Sequence, residues 1–197
     1  RFAQVSHEYL IEQVQFTGSE TVTATTPNKN VTLNFNHPVK ELIWVNQSTV
    51  FGEANAVAGN RLFNYADSNG SRDTFLKGLL QLNGHDRFSI RNADYFRKVQ
   101  NYEHHTRVPR VGAELNVSDL TLFQRQQYIY SYSFALSPEE HQPSGTCNFS
   151  RIDNAILQLT YVPTATTTRD AYNLNVYAVN YNVLRIMSGM GGLAYSN

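Results

Sequence analysis

The chain is poor in charge, almost free of sulfur and without a long apolar run. Of its 197 residues only 16% are charged, below the quarter usual in soluble domains. Sixteen basic and sixteen acidic residues cancel. Such a surface exerts no long-range pull on nucleic-acid phosphates or anionic lipid. It also does little to hold copies apart, which suits a protein that assembles. A single cysteine, Cys147, excludes an intrachain disulfide framework. No apolar run approaches the ~20 residues of a membrane-spanning helix. No signal-peptide pattern opens the chain, which starts at Arg1 rather than methionine. Walker-type, dinucleotide-binding and Gly-x-Ser-x-Gly patterns are missing, and so is His-x-His.

Period-two patterning is abundant. Val31, Leu33 and Phe35 alternate with Thr32 and Asn34, and Pro38 then implies a bulge or an edge position. ELIWVNQ (41–47) is apolar on both faces, as in a strand covered on both sides. Residues 9–16 and 155–162 read as further strands. TFLKGLLQL (74–82) is strand-like because Asn83-Gly84 supplies a hairpin turn after it. In YIYSYSFAL (128–136), Tyr128, Tyr130, Tyr132, Phe134 and Leu136 fall on one face. The run 172–187 would extend ~53 Å at ~3.3 Å per residue, so a bulge or bend should divide it. One short helix is expected within 93–105, with Phe96, Val99 and Gln100 at helical spacing and Asp94 near its start. Long connections occupy 48–73 and 106–127. About eight strands with little helix indicate an all-β sandwich or jelly roll, a single domain over residues 1–197.

Candidate chemistry is sparse. Glu139, Glu140, His141 and Cys147 lie close together in PEEHQPSGTC. Pro138, Pro143 and Gly145 mark a loop there, so the charges read as a solvated turn rather than an acid/base pair. Cys147 begins the next strand and reads as a structural thiol. His104 and His105 are adjacent, and adjacent side chains on a strand or helix diverge, which is a poor start for a metal site. SGMGG (188–192) follows a strand with no helix to receive a phosphate, so its glycines serve turning or close packing. Basic residues cluster modestly over 85–125 but share the segment with acids. Sequons place candidate N-glycans at Asn30, Asn46, Asn69, Asn116 and Asn148, with Asn69 the most exposed by pattern. Twelve arginines against four lysines, with twelve tyrosines, favour a protein that makes contacts.

PEEHQPSGTCNFSRIDNA (138–155) and NVYAVNYNVLRIMSGMGGLAYSN (175–197) closely resemble the end of the major capsid protein of large icosahedral nucleocytoplasmic DNA viruses, of the chlorella-virus and iridovirus type. VKELIWVNQ (39–47), LQLNGHDRF (80–88) and YFRKVQNYEHHTR (95–107) are similar to it as well. The resemblance implies the second barrel of a double jelly roll, in itself an all-β, eight-stranded antiparallel jelly roll, and hence the C-terminal half of a longer polypeptide. It implies a structural, non-enzymatic virion protein with no cofactor and no catalytic, cofactor-binding or metal residue. It implies homotrimers of pseudo-hexagonal outline that contact neighbouring capsomers and minor capsid proteins, without direct nucleic-acid or small-molecule binding. The implied location is the capsid, assembled in the cytoplasm of the infected cell. Two other classes compete. One is a jelly-roll carbohydrate-binding module using exposed loop tyrosines such as Tyr65. The other is a cupin-like metalloenzyme.

Overall fold

A computed structural model describes residues 3–49, 63–67, 72–109, 127–162 and 171–195. Among these residues eleven strands form two antiparallel sheets. The six-stranded sheet runs β1 (His7–Val22), β10 (Tyr172–Met187), β3 (Pro38–Ser48), β7 (Tyr130–Ser133). Here β11 (Met190–Leu193) attaches to β10, and β8 (Cys147–Asn148) to β3. The five-stranded sheet runs β2 (Asn28–Thr32), β9 (Ala155–Thr160), β4 (Lys77–Leu82), β5 (His85–Asp86), with β6 (Arg91–Asn92) on β4. Eight strands thus make the two paths, and three short ones are additions. The chain alternates between the sheets from β1 to β4 and again from β8 to β10, while β4–β6, β7–β8 and β10–β11 stay within one sheet; the repeated crossing is jelly-roll connectivity.

Alternation decides which side chains form the core. Val31, Leu33 and Phe35 are buried, and the residues between them are exposed. Along β10 Tyr172, Leu174, Val176 and Ala178 point inward. They meet Leu157 and Leu159 of β9 in one apolar cluster. Trp44 of β3 is fully buried there, 5.1 Å from the Phe96 ring and 6.1 Å from Tyr130. Phe75 closes the group, 4.6 Å from Tyr130. Offset and edge contacts of this kind add to the area buried.

β10 is not divided. It remains one 16-residue strand, and the irregularities fall in its neighbours. β1 carries one extra residue between Phe16 and Ser19, where Gly18 has φ 109°. β3 carries one extra residue, Lys40, between the partners of Asn180 and Val179. Bulges in both flanking strands supply the twist that one long strand needs. Pro38 opens β3 as its first residue, and the bulge follows two positions later. Asn83 (φ 51°) and Gly84 (φ 78°) form the turn between β4 and β5, as expected.

Helix α1 covers the expected segment with an unexpected pitch. Tyr95–Val99 is a π-helical turn, and Gln100–His104 continues as α-helix. The Gln100 N–H donates to the Tyr95 carbonyl, five residues back. This wider turn buries Phe96, Arg97, Gln100 and Asn101 and leaves Val99 exposed. The tyrosine strand is also shorter than expected. The N–H groups of Phe134 and Ala135 both donate to the Lys40 carbonyl, the chain bends, and Leu136 is left 74% exposed.

Candidate assembly surface

The outer face of the six-stranded sheet is defined by register. Leu42, Trp44, Val176 and Ala178 point to the core, so their neighbours point out. Across the sheet Val14 lies opposite Val179, which lies opposite Glu41, which lies opposite Ser133. Phe16, Tyr177, Ile43 and Ser131 form the next row. Opposed residues of an antiparallel sheet share a face.

The chain between β7 and β8 closes part of this face. Its Pro138 is buried. Glu139 accepts from the Thr106 N–H and lies 3.1 Å from His105 Nδ1. His105 Nε2 lies 2.9 Å from Glu41 Oε2 on β3. An imidazole with a carboxylate at each nitrogen is best satisfied as imidazolium, donating to both. The hydrogen bond to Glu41 is the chief reason that the His105 pKa is raised above 6.5. The Thr106 hydrogen bonds chiefly hold Glu139 below its ordinary 4.5. His104 Nδ1 sits 2.9 Å from the Leu136 carbonyl, tying the same loop to the helix end. Nearby, Lys40 reaches Glu12 at 2.7 Å, with its ammonium 5.4 Å from the Tyr181 ring centre. His141 approaches Glu12 at 3.9 Å. Beyond the strap that this β7–β8 chain forms, the face stays open among the described residues: Val14 and Phe16 are exposed, and Phe16 stacks on Tyr177 at 4.8 Å.

The far edge of the sheet is covered. Gln100 Oε1 accepts from the Ser133 N–H, an edge donor of β7, and Ser131 Oγ donates to Asn101. Helix α1 therefore seals the edge that would otherwise invite pairing. A buried polar chain fixes the helix to both sheets. The Tyr161 hydroxyl donates to Asn46 Oδ1, whose Nδ2 donates to Thr74 Oγ1. The Thr74 N–H donates to the Tyr130 hydroxyl, which donates to Asp73. Arg97 then forks onto Asp73 at 2.8 and 2.9 Å and reaches Asp94 at 2.7 Å. An open cleft of about 870 Å³ borders this end, lined by Arg72, Asp73, Lys77 and Arg97 among others. The Arg97 and Asp73 charges are spent on each other, so this part of its wall is structural.

The residues singled out in the sequence now have places. Glu139 and Glu140 are both exposed, as the loop pattern indicated, but Glu139 is bonded to His105 and the Thr106 N–H and so pins the β7–β8 chain. Cys147 is half-buried, and burial pushes its thiol above the ordinary pKa, away from a reactive thiolate. His104 and His105 engage a carbonyl and two carboxylates. Among the described residues no group of three His, Cys, Asp or Glu could hold a metal ion. Of the sequon asparagines, Asn30 and Asn148 are exposed. Asn46 is fully buried, and the nitrogen a sugar would occupy donates to Thr74. Asn69 and Asn116 lie outside the described residues, as do most of the 48–73 and 106–127 connections. Tyr65 is no open sugar platform; it packs against the core, and burial raises its pKa. The clamp between His105, Glu41 and Glu139 escaped sequence reading, because its members are 34 and 64 residues apart.

Comparison with known proteins fits this architecture. The family model "Large eukaryotic DNA virus major capsid protein" matches residues 1–117 and 124–192. The major capsid protein of Pyramimonas orientalis virus is 51% identical over all of this chain and 45% of its own length. That of Paramecium bursaria Chlorella virus 1 is 44% identical over all of the chain and 50% of its own. The chain spans about half the length of these curated relatives. The VP54 protein of the same chlorella virus superposes with a TM-score of 0.77 at 41% identity, covering all of this chain and 53% of VP54. The Faustovirus major capsid protein, at 14% identity and a TM-score of 0.58, shares the fold. None of these matches points to a carbohydrate-binding module. The chain belongs to the major capsid protein family of large eukaryotic DNA viruses.

Proposed function

We propose that this chain is a structural element of an icosahedral virus shell, built into homotrimers of pseudo-hexagonal outline that tile with neighbouring capsomers and minor capsid proteins. The observation that carries this reading is the similarity to VP54 over the whole chain, in sequence and in fold together. A second solved likeness, at a TM-score of 0.73 and 40% identity, is to the capsid of that chlorella virus. A neutral surface and a two-layer body with an open apolar strip support lateral contact over catalysis. One jelly roll fills about half of a relative's length, and we assign it to the C-terminal barrel of a tandem pair. Assembly in the cytoplasm of the infected cell agrees with a single free thiol.

The test is to purify particles containing this polypeptide, dock the described coordinates into a cryo-EM map of the shell, and measure the polypeptide's intact mass. The expected result is a barrel standing in every capsomer and a mass near twice 22.4 kDa. A shell with no density for this fold would overturn the reading. A mass near 22.4 kDa would remove the tandem barrel alone. Asn30 and Asn148 remain as described glycan candidates. A glycan on either would appear as a mass increment lost on enzymatic deglycosylation, whereas Asn46 should carry none.

A further inference from the structure

The strap between β7 and β8 is closed on itself before it touches the sheet. The Ser137 N–H donates to Ser144 Oγ, which donates back to the Ser137 carbonyl. The Glu140 N–H donates to the same carbonyl inside the loop. Gly145 follows with φ 148°, where a Cβ would stand 2.7 Å from the Phe134 carbonyl oxygen. The strap is thus a small body sewn at its neck, set between the bend at Ala135 and Gly145.

Beyond that bend, its polar ties among the described residues gather at histidines. Glu139 Oε1 lies 3.1 Å from His105 Nδ1 and accepts from the Thr106 N–H. His141 of the strap comes within 3.9 Å of Glu12 on β1, which Lys40 of β3 holds at 2.7 Å. His104 Nδ1 meets the Leu136 carbonyl at 2.9 Å. That nitrogen carries a hydrogen in the imidazolium and in one neutral tautomer, so this tie survives either charge.

The His105 tie does not. The groups facing its ring are Glu41 of β3 and Glu139 of the strap, and they are unequally wet: Glu41 is buried, Glu139 exposed. With both nitrogens protonated, each carboxylate has a donor. The neutral ring has a single N–H. Leaving a buried carboxylate without a donor costs more than leaving an exposed one to water. The remaining hydrogen therefore stays on Nε2 with Glu41, and the Nδ1 lone pair faces the Glu139 carboxylate. Attraction turns to repulsion on the strap side alone. The hydrogen bond to Glu41 is the chief cause of the raised His105 pKa, so this change comes above pH 6.5. Protonating Glu139, whose pKa is lowered chiefly by the Thr106 hydrogen bonds, removes the tie below pH 4.5.

We propose that the strap is a proton-held cover on the outer face of the six-stranded sheet. The imidazolium of His105 clasps it, and loss of that proton frees the strap as a body while the barrel stays folded. The device works within one copy of the chain and does not rest on the shell reading.

The experiment is hydroxyl-radical footprinting of the polypeptide that contains this chain, wild type and Glu139→Gln, from about pH 6 to about pH 9. Pro138 of the strap, buried when the cover is closed, is the probe, and Trp44 of the core is the control. In the wild type, Pro138 oxidation should rise by about 3- to 10-fold as His105 loses its proton, with Trp44 unlabelled throughout. In Glu139→Gln the step should vanish, because a carboxamide accepts from the charged ring and donates to the neutral one. Pro138 labelling that is flat with pH, an equal step in the variant, or labelling of Trp44 in parallel would overturn the proposal. Should the variant fail to fold, Pro138 against Trp44 in the wild type decides alone.

Discussion

At the scale of single residues, His105 is where one proton has the widest reach. It joins helix α1, β3 and the strap through Glu41 and Glu139. Its folded pKa lies above the ordinary 6.5. Its stabilisation is therefore whole below pH 6.5 and disappears as pH rises through the raised value. Glu139 acts in the opposite sense: its folded pKa lies below 4.5, so its share is present above pH 4.5 and lost as pH falls through the lowered value. His105→Ala should lower unfolding stability by about 1–3 kcal/mol between those limits, and by less in alkaline solution. Urea titrations of both proteins at several pH values check this; a difference that grows with rising pH would refute the clamp. Arg97 makes a stricter demand on chemistry. Its fork serves Asp73 and Asp94 while its guanidinium lies 4.9 Å from the Tyr128 ring centre. Arg97→Met leaves Asp73 without its countercharge and should cost about 3–5 kcal/mol. Arg97→Lys should recover only part of that loss, because an ammonium cannot fork or stack in the same way. Thermal denaturation of the two variants ranks them. Asn46 shows how far such detail was legible. Its sequon suggested a surface, yet the apolar residues on both sides of it described a covered strand, and the covered strand is what formed.

Among the elements, alternation was a reliable guide wherever a strand runs between two layers. Val31 to Phe35, 41–47 and the first half of β10 bury the residues that the pattern indicates. It failed where hydrogen bonding outside the strand took over. Leu136 leaves the tyrosine face because the Lys40 carbonyl takes two successive N–H groups and bends the chain. The helix was foreseen but not its pitch, since nothing in YFRKV distinguishes an i→i+5 bond from an i→i+4 bond. The wider turn brings Phe96 down onto Gly78, where a Cβ would stand 2.9 Å from the ring. Gly78→Ala should therefore cost about 1–3 kcal/mol, read as a lowered denaturation midpoint at constant m-value. An unchanged midpoint would mean that Phe96 moves freely, contrary to its place against Trp44. The 16-residue β10 corrects a length argument: neighbours that bulge can twist around a strand that stays whole.

On the scale of the molecule, the two sheets give a rigid body whose edges differ in purpose. One edge is closed by a helix, part of one face is strapped by the β7–β8 chain, and an apolar strip is left open among the described residues. Layer count and fold class were readable from patterning because both follow from which side chains avoid water. The contact surfaces were not, since register decides which of two identical-looking faces a helix or strap covers. The family supplies the reason for an open surface: its members named here are capsid proteins. The most direct test is the native mass of capsomers released gently from purified particles. The account predicts a single species of three identical polypeptides that re-forms arrays when concentrated. A stable monomer in the particle-derived material, with no tendency to associate, would contradict it.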